Sequence, residues 1–143
     1  MAEDLDQVLT SIRPVIVRYC RARIGRRGRT FSAADAVAVQ VLQAVLRALP
    51  VNRRPVPALV YSVASAMVDA SLLDFPARSD VVVPWLLEEL PRVQREILVL
   101  RVGVGLSAEE TGEALGCGAD AVRIAQHRAL ALIRSVTRSC QAV

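Results

Sequence analysis

Hydrophobic positions along this chain recur at helical spacing almost throughout, and they divide it into seven stretches. Leu5, Val8, Leu9, Ile12, Ile16 and Tyr19 trace one face of a helix over residues 5–24, with Pro14 inside it to kink it or displace its start. A second helix is predicted over 32–49, with Ser32 as N-cap and Asp35 at the capping-box position. Its Val37, Val39, Val41, Leu42, Val45, Leu46 and Leu49 cover too wide an arc for a helix with one buried face. Either the fold covers both sides or one side waits for a protein partner. A third helix follows over 57–74, with Val60, Val63, Ala64, Met67, Val68 and Leu72 inward. Residues 75–83 read as a linker, and within them 81–83 are the one strand-like run. A short helix over 84–90 and another opened by Pro91 and running to about 102 lead into a glycine-punctuated turn.

The most informative stretch is 107–134, SAEETGEALGCGADAVRIAQHRALALIR. Ser107 with Glu110 three residues on is a capping box for a short helix whose inner face is Ala108, Thr111 and Leu115. The glycines at 116 and 118 end it, because glycine takes the left-handed backbone that terminates helices. On a second helix from 119 to 134, Val122, Ala125, Ala129, Leu132 and Ile133 face inward, while Asp120, Arg123, His127 and Arg134 face out. That is a helix-turn-helix, whose second helix enters the DNA major groove. Arg123 suits a bidentate contact to guanine, Gln126 suits adenine, and His127 lies one turn beyond Arg123. Arg128 and Arg134 suit phosphates. The same residues also fit an ordinary helical hairpin with a solvated face.

Composition narrows the choice. Hydrophobic residues make up 53% and aromatics 3%, so the core is built from Ala, Val, Leu and Ile, and the expected class is all-α. All 18 basic residues are arginine, as a GC-rich genome would give. Residues 1–74 carry ten arginines against six acids, 84–113 three against six, and 119–143 four against Asp120 alone. A polyanion would meet the first and last of these surfaces before the middle one. No apolar run is expected to reach the length of a membrane span and no secretory signal is visible, so a cytoplasmic protein without direct membrane insertion is expected. Cys20, Cys117 and Cys140 lack zinc or thioredoxin spacing and read as buried or incidental thiols. With His127 the sole histidine and no paired-carboxylate or glycine-loop constellation, neither an enzyme, a metal site nor a cofactor is expected.

Residues 87–134 resemble region 4 of bacterial sigma-70-type factors, in particular the extracytoplasmic-function (ECF) group. Leu90, Pro91, Arg95, Glu96, Leu106, Ser107, Glu110, Leu115, Gly116, Val122, Arg123, Arg128, Ala129 and Leu130 carry the match. Residues 12–25, IRPVIVRYCRARIG, are similar to the start of region 2 in the sigma-D type of actinobacteria. The resemblance implies a region-2-like helical domain over 1–74, the 75–83 linker and a region-4-like helix-turn-helix domain over 84–143. It implies binding to core RNA polymerase through Asp35, Gln40, Val41 and Gln43, promoter DNA as ligand with the −35 element read by region 4, and an anti-sigma factor as a further partner. Three departures stand out. The acidic polymerase-binding patch keeps only Asp35 and Gln40, residues 65–71 are neutral or acidic where the family is basic, and Gly118 and Ala121 replace the usual cap and Thr. Nine linker residues reach about 30 Å when extended, against about 34–36 Å for one DNA turn. These departures keep two other readings open: a degenerate sigma-like interaction protein that does not open promoters, and a helix-turn-helix repressor without a polymerase partner.

Overall fold

A computed structural model describes residues 2–74 and 90–141. The expected linker, its strand-like run and nearly all of the short helix over 84–90 lie outside the described residues. Among those residues the structure is all-α: α1 (Ala2–Ile24), α2 (Ser32–Ala48), α3 (Val56–Leu72), α4 (Arg92–Leu98), α5 (Ala108–Leu115) and α6 (Ala119–Gln141). The chain divides into two compact units, one carrying α1–α3 and the other carrying α4 and α6.

In the first unit each helix packs against the other two. The interior is filled by Ile12, Ile16 and Ile24 from α1, Val37, Val41 and Val45 from α2, and Leu59, Val60 and Val68 from α3. Small Ala34, Ala38 and Ala64 are buried between them. Branched aliphatics and alanines make up most of this interior, and Tyr19, 2% exposed, is the large aromatic among them. Polar cement joins the first and third helices. Arg23 Nη2 donates to Asp69 Oδ1 at 2.6 Å and Nη1 to the Tyr19 hydroxyl at 2.6 Å. The Arg23 side chain is only 6% exposed. The Tyr19 ring meets Tyr61 edge-on, with centroids 5.9 Å apart. The acid in the 65–71 stretch is therefore a structural counter-ion to an inward arginine. Cys20 is fully buried, and that burial, with the negative Asp35 behind it, pushes its thiol up to about 12.

Several expectations change on contact with the packing. Helix α1 begins at Ala2 and runs unbroken through Pro14, whose ring faces solvent and costs one backbone hydrogen bond. Leu5, assigned to the inner face, is 47% exposed. Ser32 is not the cap of α2: Phe31 holds that position without a side-chain hydrogen bond, and Ser32 pairs with the Thr30 hydroxyl. Asp35 does not close a capping box, because Arg21 offers it two charge-assisted hydrogen bonds, from Nε at 2.8 Å and Nη2 at 2.9 Å. By length and composition Ser32–Val51 does pass for a membrane span, contrary to the expectation that no such run exists. Its Val37, Val41 and Val45 fill the three-helix interior, and 28% of the span is buried there.

In the second unit α4 packs on α6. Leu90, Leu98 and Ala129 form a buried cluster against which Leu130 and Ile133 rest. The helix opened by Pro91 widens after Leu98 into a π-helix, Val99–Val104, closed by Gly105 at φ +88°. Leu132, expected inside, is 42% exposed instead.

Candidate nucleic-acid interface

The helix-turn-helix forms as its spacing demands. Ser107 Oγ accepts the Glu110 N–H at 3.0 Å, while Glu110 Oε1 accepts the Ser107 N–H at 2.9 Å, a reciprocal capping box. At the far end of α5 the Cys117 N–H returns to the Gly112 carbonyl at 2.9 Å, and Gly116 sits at φ +76°. Gly112 is required there, since a Cβ would stand 2.5 Å from the Cys117 carbonyl oxygen. The turn thus depends on a missing side chain inside α5 as well as on the glycines that follow it.

Helix α6 buries Val122 and Ala129 completely. Arg123, His127, Arg128 and Arg134 are all on its exposed surface. Arg123 is not free: Nη2 meets Glu109 Oε1 of α5 at 2.8 Å and Nη1 meets Asp120 Oδ1 at 3.2 Å. The Glu109 carboxyl is held below its ordinary range by its own backbone N–H first and by Arg123 second. The arginine remains 54% exposed, so the pair is a surface clasp of the kind that contributes little to stability. Gln126 points the other way. Its Oε1 accepts from Arg101 Nε at 2.9 Å, and Arg101 Nη1 donates to the Leu106 carbonyl at 2.9 Å. Arg101 therefore ties the loop before the Ser107 cap to the recognition helix. Sequence reading missed it, although a lone arginine within the apolar run VLRVGVG was the available signal. Farther along, Arg134 and Arg138 line an open groove of about 420 Å³ with Ala131, Ser135 and Ser139.

The residues assigned to polymerase contact are divided by the fold. Gln40 and Gln43 are exposed on α2. Asp35 is engaged by Arg21, whose hydrogen bonds hold its carboxyl below the usual carboxylate range. Val41 corrects the expectation outright: it has no exposed surface, because it lies on the α2 face turned to α1 and α3. The exposed apolar position of that helix is Val39, at 56%. Val39 borders a groove of about 230 Å³ between α1 and α2, with Ile16, Val17, Ala38 and Leu42 along it. Its signal was the over-wide apolar arc of α2. The basic loop after α1 is similarly committed in part, since Arg21 and Arg26 stack on Phe31 at 4.8 and 5.0 Å. Among the described residues no group of three or more potential metal ligands comes together.

Three-helix unit, capping box and outward-facing cations together make a helical protein with a formed helix-turn-helix. Comparison with known proteins makes the class specific. The family description "Sigma-70, region 4" matches residues 86–133. The ECF RNA polymerase sigma factor SigD of Mycobacterium tuberculosis is 43% identical over 155 residues, covering 88% of this chain and 73% of that protein. ECF RNA polymerase sigma factor ShbA of Streptomyces griseus is 37% identical over 169 residues, covering 94% and 88%. The solved structure of CnrH in complex with the cytosolic domain of CnrY superposes with a TM-score of 0.69 at 22% identity, over 97% of this chain and 90% of that one, which supports the fold. The chain belongs to the ECF RNA polymerase sigma factors.

Proposed function

We propose that this sigma factor binds core RNA polymerase through the α1–α3 unit, residues 1–74, and that residues 84–143 carry it to the −35 element of promoters. The outward cations of α6 carry the reading, presented by a helix-turn-helix whose capping and turn are fully formed. In it Arg123 exchanges its Glu109 and Asp120 clasp for a base edge, His127 faces the groove, and Arg128 and Arg134 meet phosphates. Gln126, fixed by Arg101, contributes its amide N–H alone. Asp35, Gln40 and Gln43 form the polar part of the polymerase face and Val39 its apolar part. The protein works in the cytoplasm, without catalytic chemistry, cofactor or membrane insertion of its own. An anti-sigma factor is a further partner, in keeping with a structural neighbour solved together with a cytosolic partner domain.

The second reading, a sigma-like interaction protein that does not open promoters, draws on the thin acidic surface of α2. Run-off transcription with purified core polymerase and genomic fragments separates them. Defined start sites support the initiation role, whereas polymerase binding without transcripts supports the second reading. Within the first, Arg123→Ala relaxes preference at about one base pair, costing roughly 1–3 kcal/mol on the favoured sequence only. An equal loss on every sequence would remove Arg123 from base reading.

A further inference from the structure

Resting on the reading of α6 as the promoter-reading helix, we infer that Ile124 is a specificity residue that recognises the C5-methyl group of a thymine. At about 100° per residue, Ile124 lies about 160° around the helix from Val122 and about 140° from Ala129. Those two side chains are fully buried, so Ile124 stands nearly opposite the anchored line of the helix. It is 54% exposed, a large apolar group with the exposed Arg123, His127 and Arg128 around it; the helix's other exposed large apolar residue, Leu132, lies two turns further on. Arg123 and Arg128 sit on either side of it, about 140° apart around the axis. With Arg128 on one flank turned to a phosphate wall and Arg123 on the other reaching a base edge, the arc between them also faces the floor of the groove. Ile124 and His127, neighbours at i and i+3, occupy that arc.

Chemistry selects what Ile124 accepts there. Guanine O6 and N7, adenine N6 and cytosine N4 are all polar, and an isoleucine against them would strip their water and return no hydrogen bond. Thymine alone among the four bases offers a methyl group to the major groove. Apolar contact with that methyl removes both groups from water, and no polar group of the base is left unpaired. Ile124 is more than half exposed, so its replacement is expected to leave the fold intact.

The test uses the full chain, alone and in complex with core polymerase. Bound duplexes are selected from a randomised library, and each selected thymine is then replaced by deoxyuridine, which deletes the methyl and nothing else. Wild-type affinity is expected to fall about fourfold at one thymine, the value of one methylene-sized group withdrawn from water. Ile124→Ala should bind the thymine and uracil duplexes alike, while Arg123→Ala should keep the fourfold difference. A protein that selects sequences yet ignores every thymine-to-uracil change overturns the assignment of Ile124 and leaves the promoter-reading role standing. Failure to select any sequence overturns both.

Discussion

Arg23 and Arg123 are each held by carboxylates at hydrogen-bonding distance, 2.6 Å to Asp69 and 2.8 Å to Glu109. Arg23 is 6% exposed at its side chain and joins α1 to α3, with Tyr19 filling a further donor. Arg123 is 54% exposed and its main partner 68%, on the outer surface of the helix-turn-helix. Burial decides what each pair does. Away from water, an arginine that loses its acid keeps a charge that costs more than an exposed one, so the Arg23 pair is a commitment of the fold. In water the same geometry contributes little to stability and exchanges readily. The α1–α3 unit thus uses arginine as cement, whereas α6 carries one in an exposed pair.

The largest expected effect falls on the buried pair. Asp69→Ala leaves Arg23 with a charge inside the three-helix unit and should destabilise that unit by roughly 3 kcal/mol. Thermal unfolding followed by circular dichroism measures it. DNA selectivity of the folded fraction should stay as in wild type. An unchanged melting temperature would show that solvent reaches Arg23 and would erase the contrast with Arg123.

A smaller loss is expected in the platform that presents Arg123. Gly112→Ala drives a Cβ against the Cys117 carbonyl oxygen, which is backbone and cannot swing aside. The turn must open, at a cost of about 2 kcal/mol by analogy with overpacked cores. Because Glu109 and Arg123 lie on opposite sides of that turn, sequence discrimination should weaken together with stability. Stability lost with discrimination intact would mean that α6 holds its position without the turn.

What could be read in the sequence follows from how locally it is determined. The capping box at Ser107 and the glycine turn involve residues a few positions apart and form as expected, and the α6 stripe holds at Val122 and Ala129 though not at Leu132. The family likewise rests on contiguous motifs. The missed features are contacts between distant residues. Arg23 and Asp69 are 46 positions apart, and nothing local marks Asp69 as a counter-ion. Arg21 takes Asp35 out of its expected cap from 14 positions away. The resemblance puts Val41 on the polymerase face, and the wide apolar arc of α2 does not reveal which of its valines the fold covers; the three-helix packing takes Val41 into the interior and leaves Val39 outside. Gln126 lies between the two faces of α6, and Arg101, 25 residues earlier, decides its direction.

The smallest effect probes the exposed pair directly. Glu109→Gln removes the carboxylate that competes with DNA for Arg123 while preserving size and an acceptor oxygen. DNA binding should tighten by roughly two- to fivefold, the range over which exposed pairs measurably compete, and thermal stability should barely move. The effect has a defined pH window. The Glu109 carboxyl is held below its ordinary 4.5, so the clasp is complete above that value and is lost only as pH falls through the lowered one. Wild type and Glu109→Gln should therefore differ by a constant factor from neutral pH down to about 5 and converge only under more acidic conditions. Weaker binding by Glu109→Gln at neutral pH would reverse the assignment. Glu109 would then be the group that aims Arg123 at the base, and the exposed pair would resemble its buried counterpart in holding an arginine where it is needed.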